Sequence, residues 1–181
     1  GCGWSGAGGG TVAAHGCAEV PGDTGASNRG IGKRGARGVR GGSKGGYGAA
    51  RLGVRHPDVF GTAMAFSGYY QAAISSPQTR NASRPFGHHQ ALIDAHSPIL
   101  LASEVTSSRR AGLFFMLSAD PSHPFYGPQY LAMAGTLRQA GIAIDLFPTP
   151  LGHSWAAPRA QLPAMLAALG QREAALGVFV R

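Results

Sequence analysis

Gly41-Gly42-Ser43-Lys44-Gly45-Gly46-Tyr47-Gly48-Ala49-Ala50 contains the pattern Gly-x-Ser-x-Gly. In this pattern a serine occupies a sharp turn between a strand and a helix. The turn demands backbone angles that a side chain two positions to either side would obstruct, so glycine is expected on both flanks. The serine oxygen is pushed clear of the backbone. The next amide, that of Lys44, lies at a helix N-terminus, where it can face a developing oxyanion. Residues 1 to 46 hold 17 glycines, so the pattern alone carries little weight. The residues beyond it supply the rest.

Past the serine the texture changes. Lys44 to Arg55 reads as a helix with Tyr47, Ala50 and Val54 on one face, and Gly46, Ala49 and Gly53 are small enough for close packing on a sheet. Pro57 ends it. Thr62 to Phe66 is a short buried strand closed by Ser67-Gly68, and residues 70 to 110 are loop and short helix. Leu113-Phe114-Phe115-Met116-Leu117 is an unbroken apolar run, as expected of a central parallel strand covered on both faces. It ends at Ser118-Ala119-Asp120-Pro121. Pro128 opens the next helix, whose apolar stripe is Tyr130, Leu131, Ala134 and Leu137 and which Gly141 stops. Ile142 to Phe147 is a further strand, Pro148 to Trp155 a loop, and a last helix from about Pro158 buries Leu162, Met165, Leu166 and Leu169.

Strands alternating with helices imply an α/β fold with a doubly wound, mostly parallel sheet. Sites in such sheets form at the carboxyl ends of the strands. Ser43, Asp120 and His153 each follow a predicted strand at that end. The gaps are 77 residues from Ser43 to Asp120 and 33 from Asp120 to His153. Serine is a poor nucleophile unless an imidazole takes its proton and a carboxylate orients the imidazole. Glu104 and Asp145 are the other carboxylates that could compete with Asp120.

Composition narrows the alternatives. The chain of 181 residues fits one domain or most of one, and its 44% hydrophobic content is ordinary for a globular protein. No run reaches the roughly 18 apolar residues that span a bilayer. The chain lacks an initiator Met and shows no signal peptide as written, so its true start is expected to be missing. Cys2 and Cys17 have no zinc-like spacing, and the compartment stays open. The net charge of +8 is uneven: residues 1 to 44 carry six Lys/Arg against two acids. Arg29, Lys33, Arg34, Arg37, Arg40 and Lys44 could meet a nucleic-acid backbone. With no aromatic between Trp4 and Tyr47 to stack on a base, no nucleic-acid partner is expected.

Residues 1 to 40 are Gly/Ala/Arg-rich with no apolar periodicity, and are expected to be poorly ordered. Within them Ala36 to Gly42 should form the strand leading into the serine, although only Ala36 and Val39 are apolar. Residues 41 to 181 form the α/β part.

The stretch Gly42-Ser43-Lys44-Gly45-Gly46-Tyr47-Gly48-Ala49-Ala50, with Arg55-His56-Pro57-Asp58-Val59-Phe60-Gly61, Ser67-Gly68-Tyr69 and Gly152-His153-Ser154-Trp155, resembles the esterase D family of α/β-hydrolases. That family includes S-formylglutathione hydrolases, feruloyl esterases and trehalose mycolyltransferases, and the resemblance spans about residues 41 to 170. It implies acyl-ester chemistry on a small-molecule ester without metal or cofactor, with Ser43 as nucleophile, Asp120 as acid, His153 as base and the Lys44 amide as an oxyanion donor. Family members place further strands and a second oxyanion donor ahead of the elbow. Only 42 residues precede Ser43 here, and they do not read as strands. The expectation is an incomplete sheet, with residues 1 to about 40 out of frame and the chain as written marginally folded and weakly active. Transfer to a sugar hydroxyl and a non-catalytic remnant are the alternatives. Oligomeric state is not legible.

Tyr69 and Tyr70 could line a substrate pocket or pack in the core, and Trp155 is expected to pack beside His153 and shield it. His88, His89, Asp94 and His96 lack the regular spacing of a metal site and read as a solvated loop.

Overall fold

The computed structural model describes residues 34–79 and 84–178, all within the compact unit Arg34–Arg181. Cys2, Cys17, Arg29, Lys33 and the rest of the expected poorly ordered segment up to residue 33 lie outside the described residues.

Among the described residues four parallel strands form one sheet in sequential order: β1 (Gly38–Gly42), β2 (Thr62–Phe66), β3 (Phe114–Ala119) and β4 (Ala143–Pro148). Between them run α1 (Lys44–Arg55), the short helices α2 (Gln90–Asp94), α3 (Pro98–Ser103) and α4 (Ser107–Arg110), and α5 (Tyr126–Gln139). The last helix is α6 (Ala156–Ala175). The two inner strands are buried at every residue. Their alternation sends side chains to both faces of the sheet. Ala63, Ala65, Phe115 and Leu117 meet α1, α3 and α5 through Ala50, Val54, Ala102, Tyr130, Met133 and Leu137. Met64, Phe66, Phe114 and Met116 meet α6 through Met165, Leu162 and Leu169. Helices on both faces make this the doubly wound arrangement expected of an α/β-hydrolase.

Two helical stripes differ from expectation by one position. Leu131 is exposed and Met133 takes its place in the core; Leu166 is exposed beside buried Met165. Each exposed leucine lies about 100° round the helix from the buried residue before it, beyond the edge of the apolar stripe.

The segment 34–40 is ordered by polar contacts that apolar periodicity cannot reveal. Arg34 donates through Nη1 to the Pro57 carbonyl at 2.9 Å and through Nη2 to the Ala111 carbonyl at 2.7 Å. Arg37 Nε donates to the Val59 carbonyl at 2.9 Å. These guanidinium forks tie three loops together at the amino end of the sheet. Among the described residues β1 is an outer strand, with alternate residues exposed, which suits its poverty in apolar side chains.

Helix α1 lies close on the sheet because two of its four glycines, Gly46 and Gly53, sit at the contact. A Cβ at Gly53 would stand 2.7 Å from the Ala63 Cβ, and one at Gly46 would stand 3.0 Å from the Gly68 Cα. The elbow glycines are not equivalent. A Cβ at Gly41 would run into the carbonyl of Gly45, whereas a Cβ at Gly45 would meet nothing within 4 Å. Glycine is thus sterically required before the serine and not after it, because Gly45 is exposed in the first turn of α1. Gly41→Ala should therefore cost on the order of 2–3 kcal/mol, since backbone atoms cannot move aside as a side chain can. Gly45→Ala should be neutral or stabilising by up to about 1 kcal/mol, by helix propensity. Urea midpoints of the two variants check this, and equal losses would refute the asymmetry.

Candidate active site

The carboxyl ends of the strands gather the chemistry. Gly42 pairs with Phe66, Phe66 with Ser118 and Ser118 with Phe147. Ser43, Ser67 and Ala119-Asp120 therefore continue from neighbouring strands at one rim, and the loop carrying His153 comes after β4.

Ser43 holds φ 54° and ψ −118°, well outside the angles a serine prefers. Its amide donates to the Phe66 carbonyl at 2.9 Å, and its carbonyl accepts the Tyr47 amide at 3.2 Å. The first bond pins the elbow to β2; the second opens α1. Ser43 stands at the N-cap position, yet its hydroxyl makes no capping bond. Among the described residues that oxygen has no hydrogen-bond partner. The Lys44 amide, first in the helix, has no intrahelical acceptor and is available at the same turn.

Asp120 is 8% exposed and accepts three hydrogen bonds. Its Oδ1 takes the Ser122 hydroxyl at 2.6 Å and the Ser122 amide at 2.9 Å, and its Oδ2 takes the Gly152 amide at 3.0 Å. The Ser122 hydroxyl is the largest cause of a pKa below the ordinary carboxylate range; the Ser122 and Gly152 amides and nearby His123 act the same way. The bond to Gly152 fastens the loop of β4 to the end of β3, one residue from His153.

The His153 ring lies flat on Tyr126, with centroids 3.9 Å apart and planes 10° apart, and His123 sits edge-on at 6.4 Å. Covering of the ring lowers its pKa from the ordinary histidine value, and His123 adds to the effect. The His123 Nδ1 accepts the amides of Phe125 and Tyr126 at 3.2 Å each. Among the described residues His153 makes no hydrogen bond to Asp120 or to Ser43. The fold brings the acid and the histidine loop together, and sets the serine on the same rim two strands from the acid.

The remaining residues singled out in the sequence fall differently. Tyr70 is fully buried in the core beneath Gly68, and burial drives its pKa up. Tyr69 is buried against Tyr47, with ring centroids 5.1 Å apart; burial pushes its hydroxyl up to about 12. Trp155 is 83% exposed and does not cover His153; Tyr126 does that. Trp155 stands at the N-cap of α6, outside the buried face that Met165 and Leu162 present to the sheet. Asp145 is exposed in the middle of β4. Glu104 lies beside Arg55 and Arg109, at the far end of α1, about 18 Å along the helix from Ser43. In the His88–His96 segment, the Nδ1 of His96 is within 2.8 Å of the Arg51 guanidinium and its ring stacks on Phe86. No group of three or more possible metal ligands occurs among the described residues.

Sequence reasoning misses His123, Tyr126 and Ser122. Ser122, two residues after a strand-end aspartate, is the one legible signal, because Asp-x-Ser readily forms a side-chain turn. Beside Asp120 opens a cleft of about 480 Å³ lined by Pro121, Ser122, Pro148, Thr149 and Pro150.

A parallel sheet flanked by helices on both faces, with an elbow serine at its carboxyl rim, is an α/β-hydrolase fold. The chain belongs to the family described as "Putative esterase", whose model matches residues 23–169. The esterase resemblance carried by residues 41 to 170 is thereby borne out. Among solved structures the chain is similar to MPT51 (FbpC1) of Mycobacterium tuberculosis, at 25% identity and a TM-score of 0.62, over 84% of this chain and 65% of that one. It is similar to an S-formylglutathione hydrolase from Agrobacterium tumefaciens, at 18% identity and a TM-score of 0.65, over 85% and 55% of the two chains. It is also similar to a ferulic acid esterase, at 22% identity and a TM-score of 0.59, over 77% and 52%. The chain thus spans little more than half the length of two of these structures and about two-thirds of the third. No curated protein sequence matches it. No helix among the described residues is long and apolar enough to cross a membrane.

Proposed function

We propose that the chain is a carboxylic ester hydrolase that transfers an acyl group to water through an acyl-Ser43 intermediate. The observation that carries this reading is the elbow: a strained serine with an uncommitted hydroxyl, on the rim where Asp120 grips the loop of His153, in a chain of an esterase family. His153 leaves the face of Tyr126 and turns between Asp120 and Ser43, its Nδ1–H donating to the carboxylate. Its Nε2 takes the Ser43 proton as Oγ attacks the ester carbonyl carbon. The Lys44 amide donates to the oxyanion of the tetrahedral intermediate. The C–O bond to the alcohol then breaks, and the alcohol leaves with the proton from His153. Water, deprotonated by His153, releases the acid and restores Ser43.

A small-molecule ester suits a site open at the sheet rim, and the acyl-serine route needs neither metal nor cofactor. The test is active-site labelling of the chain with a fluorophosphonate, followed by mapping of the adduct. The expected result is a single adduct on the peptide carrying Ser43. Absence of both the adduct and p-nitrophenyl acetate hydrolysis would overturn the reading.

A further inference from the structure

Ser43 is not the only serine in a left-handed backbone conformation at this rim. Ser67, the residue just after β2, holds φ 44°. That region costs a residue with a Cβ what it does not cost glycine. The conformation is imposed from both sides. The Ser67 amide donates to the Ser118 carbonyl at 2.6 Å, and the carbonyl of the preceding Phe66 accepts the Ser43 amide at 2.9 Å. Ser67 is therefore wedged between the elbow and the strand that delivers Asp120.

Its side chain is not used by the fold. The residue is 6% exposed, and among the described residues its hydroxyl makes no hydrogen bond. Nor is that oxygen among the fully buried side-chain oxygens without a hydrogen bond, which among the described residues are those of Tyr70 and Thr149; it keeps some solvent access. A strained position occupied by serine beside the elbow, with its hydroxyl unspent and not fully sealed, has a physical rationale if that hydroxyl serves a ligand.

We propose that Ser67 is a substrate-contacting residue, donating its hydroxyl hydrogen to an oxygen of the ester bound at Ser43. The proposal rests on the acyl-serine reading and extends it by one residue. Ser67→Gly and Ser67→Ala both delete the hydroxyl, but only the glycine releases the backbone strain. Both variants should lose at least about tenfold in kcat/KM toward p-nitrophenyl acetate. Ser67→Gly should melt as high as the parent or about 2–4 °C higher, so its loss of activity cannot come from unfolding.

Fluorophosphonate labelling of the parent separates the two levels. A parent that takes no label at Ser43 overturns both readings. A labelled parent whose Ser67→Gly variant keeps the parental kcat/KM overturns the role of Ser67 alone.

Discussion

Ser43→Ala is expected to lower ester turnover by about 10⁴-fold or more, to the background of the buffer, while the chain keeps its fold. The two halves of that expectation have separate grounds. On the proposed acyl-serine route no acyl intermediate forms without the hydroxyl, and only the polarising effect proposed for the Lys44 amide is left. On the side of the fold, removing an N-cap serine usually costs about 1 kcal/mol, because the cap bond is lost. Here the hydroxyl makes no such bond, and alanine occupies φ 54° no more comfortably than serine does. The melting temperature should therefore stay within a few degrees of the parent. Ser43→Gly sharpens the contrast, for it removes the strain as well and should be equally inactive yet at least as stable. Hydrolysis of p-nitrophenyl acetate and a thermal melt on the same preparations decide it. A Ser43→Ala chain that retains a tenth of the activity would show that another group carries the reaction.

The legible parts of this molecule are those in which a single physical rule dominates the residue choice. Strand β3 is readable because burial on both faces leaves only apolar side chains from Leu113 to Leu117, so length and hydrophobicity suffice. The strand-end positions of Ser43, Asp120 and the His153 loop come from strand order alone. The parts that escape depend on groups far apart in the chain. Residues 34–40 bury so little that their composition predicts poor order, yet Arg34 and Arg37 fix them through carbonyls at positions 57, 59 and 111. The flat seat of His153 on Tyr126 depends on the path of residues 120–126 after β3, which no spacing rule anticipates. Adjacency in sequence sets Trp155 against His153, whereas Trp155 is exposed at the N-cap of α6 and the ring that lies on His153 comes from Tyr126. The elbow glycines show the same limit on a smaller scale. A pattern with two glycines conceals that only the first meets the backbone of the second.

Asp120→Asn is expected to reduce kcat/KM by about 10³- to 10⁴-fold, and to do so without removing any heavy-atom contact. The carboxylate accepts at both oxygens: Ser122 twice at Oδ1, Gly152 once at Oδ2. An asparagine must turn its NH₂ toward one of these sets, setting donor against donor. If the NH₂ faces Gly152, the tie that brings the histidine loop to the end of β3 is broken. If it faces Ser122, the turn that fixes the side chain opens. Either way the imidazole loses the anionic partner that would select its tautomer and support its positive charge in the transition state.

The same three bonds give the variant a signature in acid. The folded carboxyl titrates below the ordinary value, with Ser122 as the leading cause. The stabilisation is therefore complete above the unfolded value of about 3.9 and is lost as pH falls from there through the lowered folded value. The parent should become less stable over that window, and Asp120→Asn, which cannot titrate, should lack this component. Urea unfolding from pH 6 to pH 2.5 compares the two. Parallel curves for parent and variant would mean that the carboxylate is not held by these donors, and with that the anchoring of the His153 loop to β3 would fall.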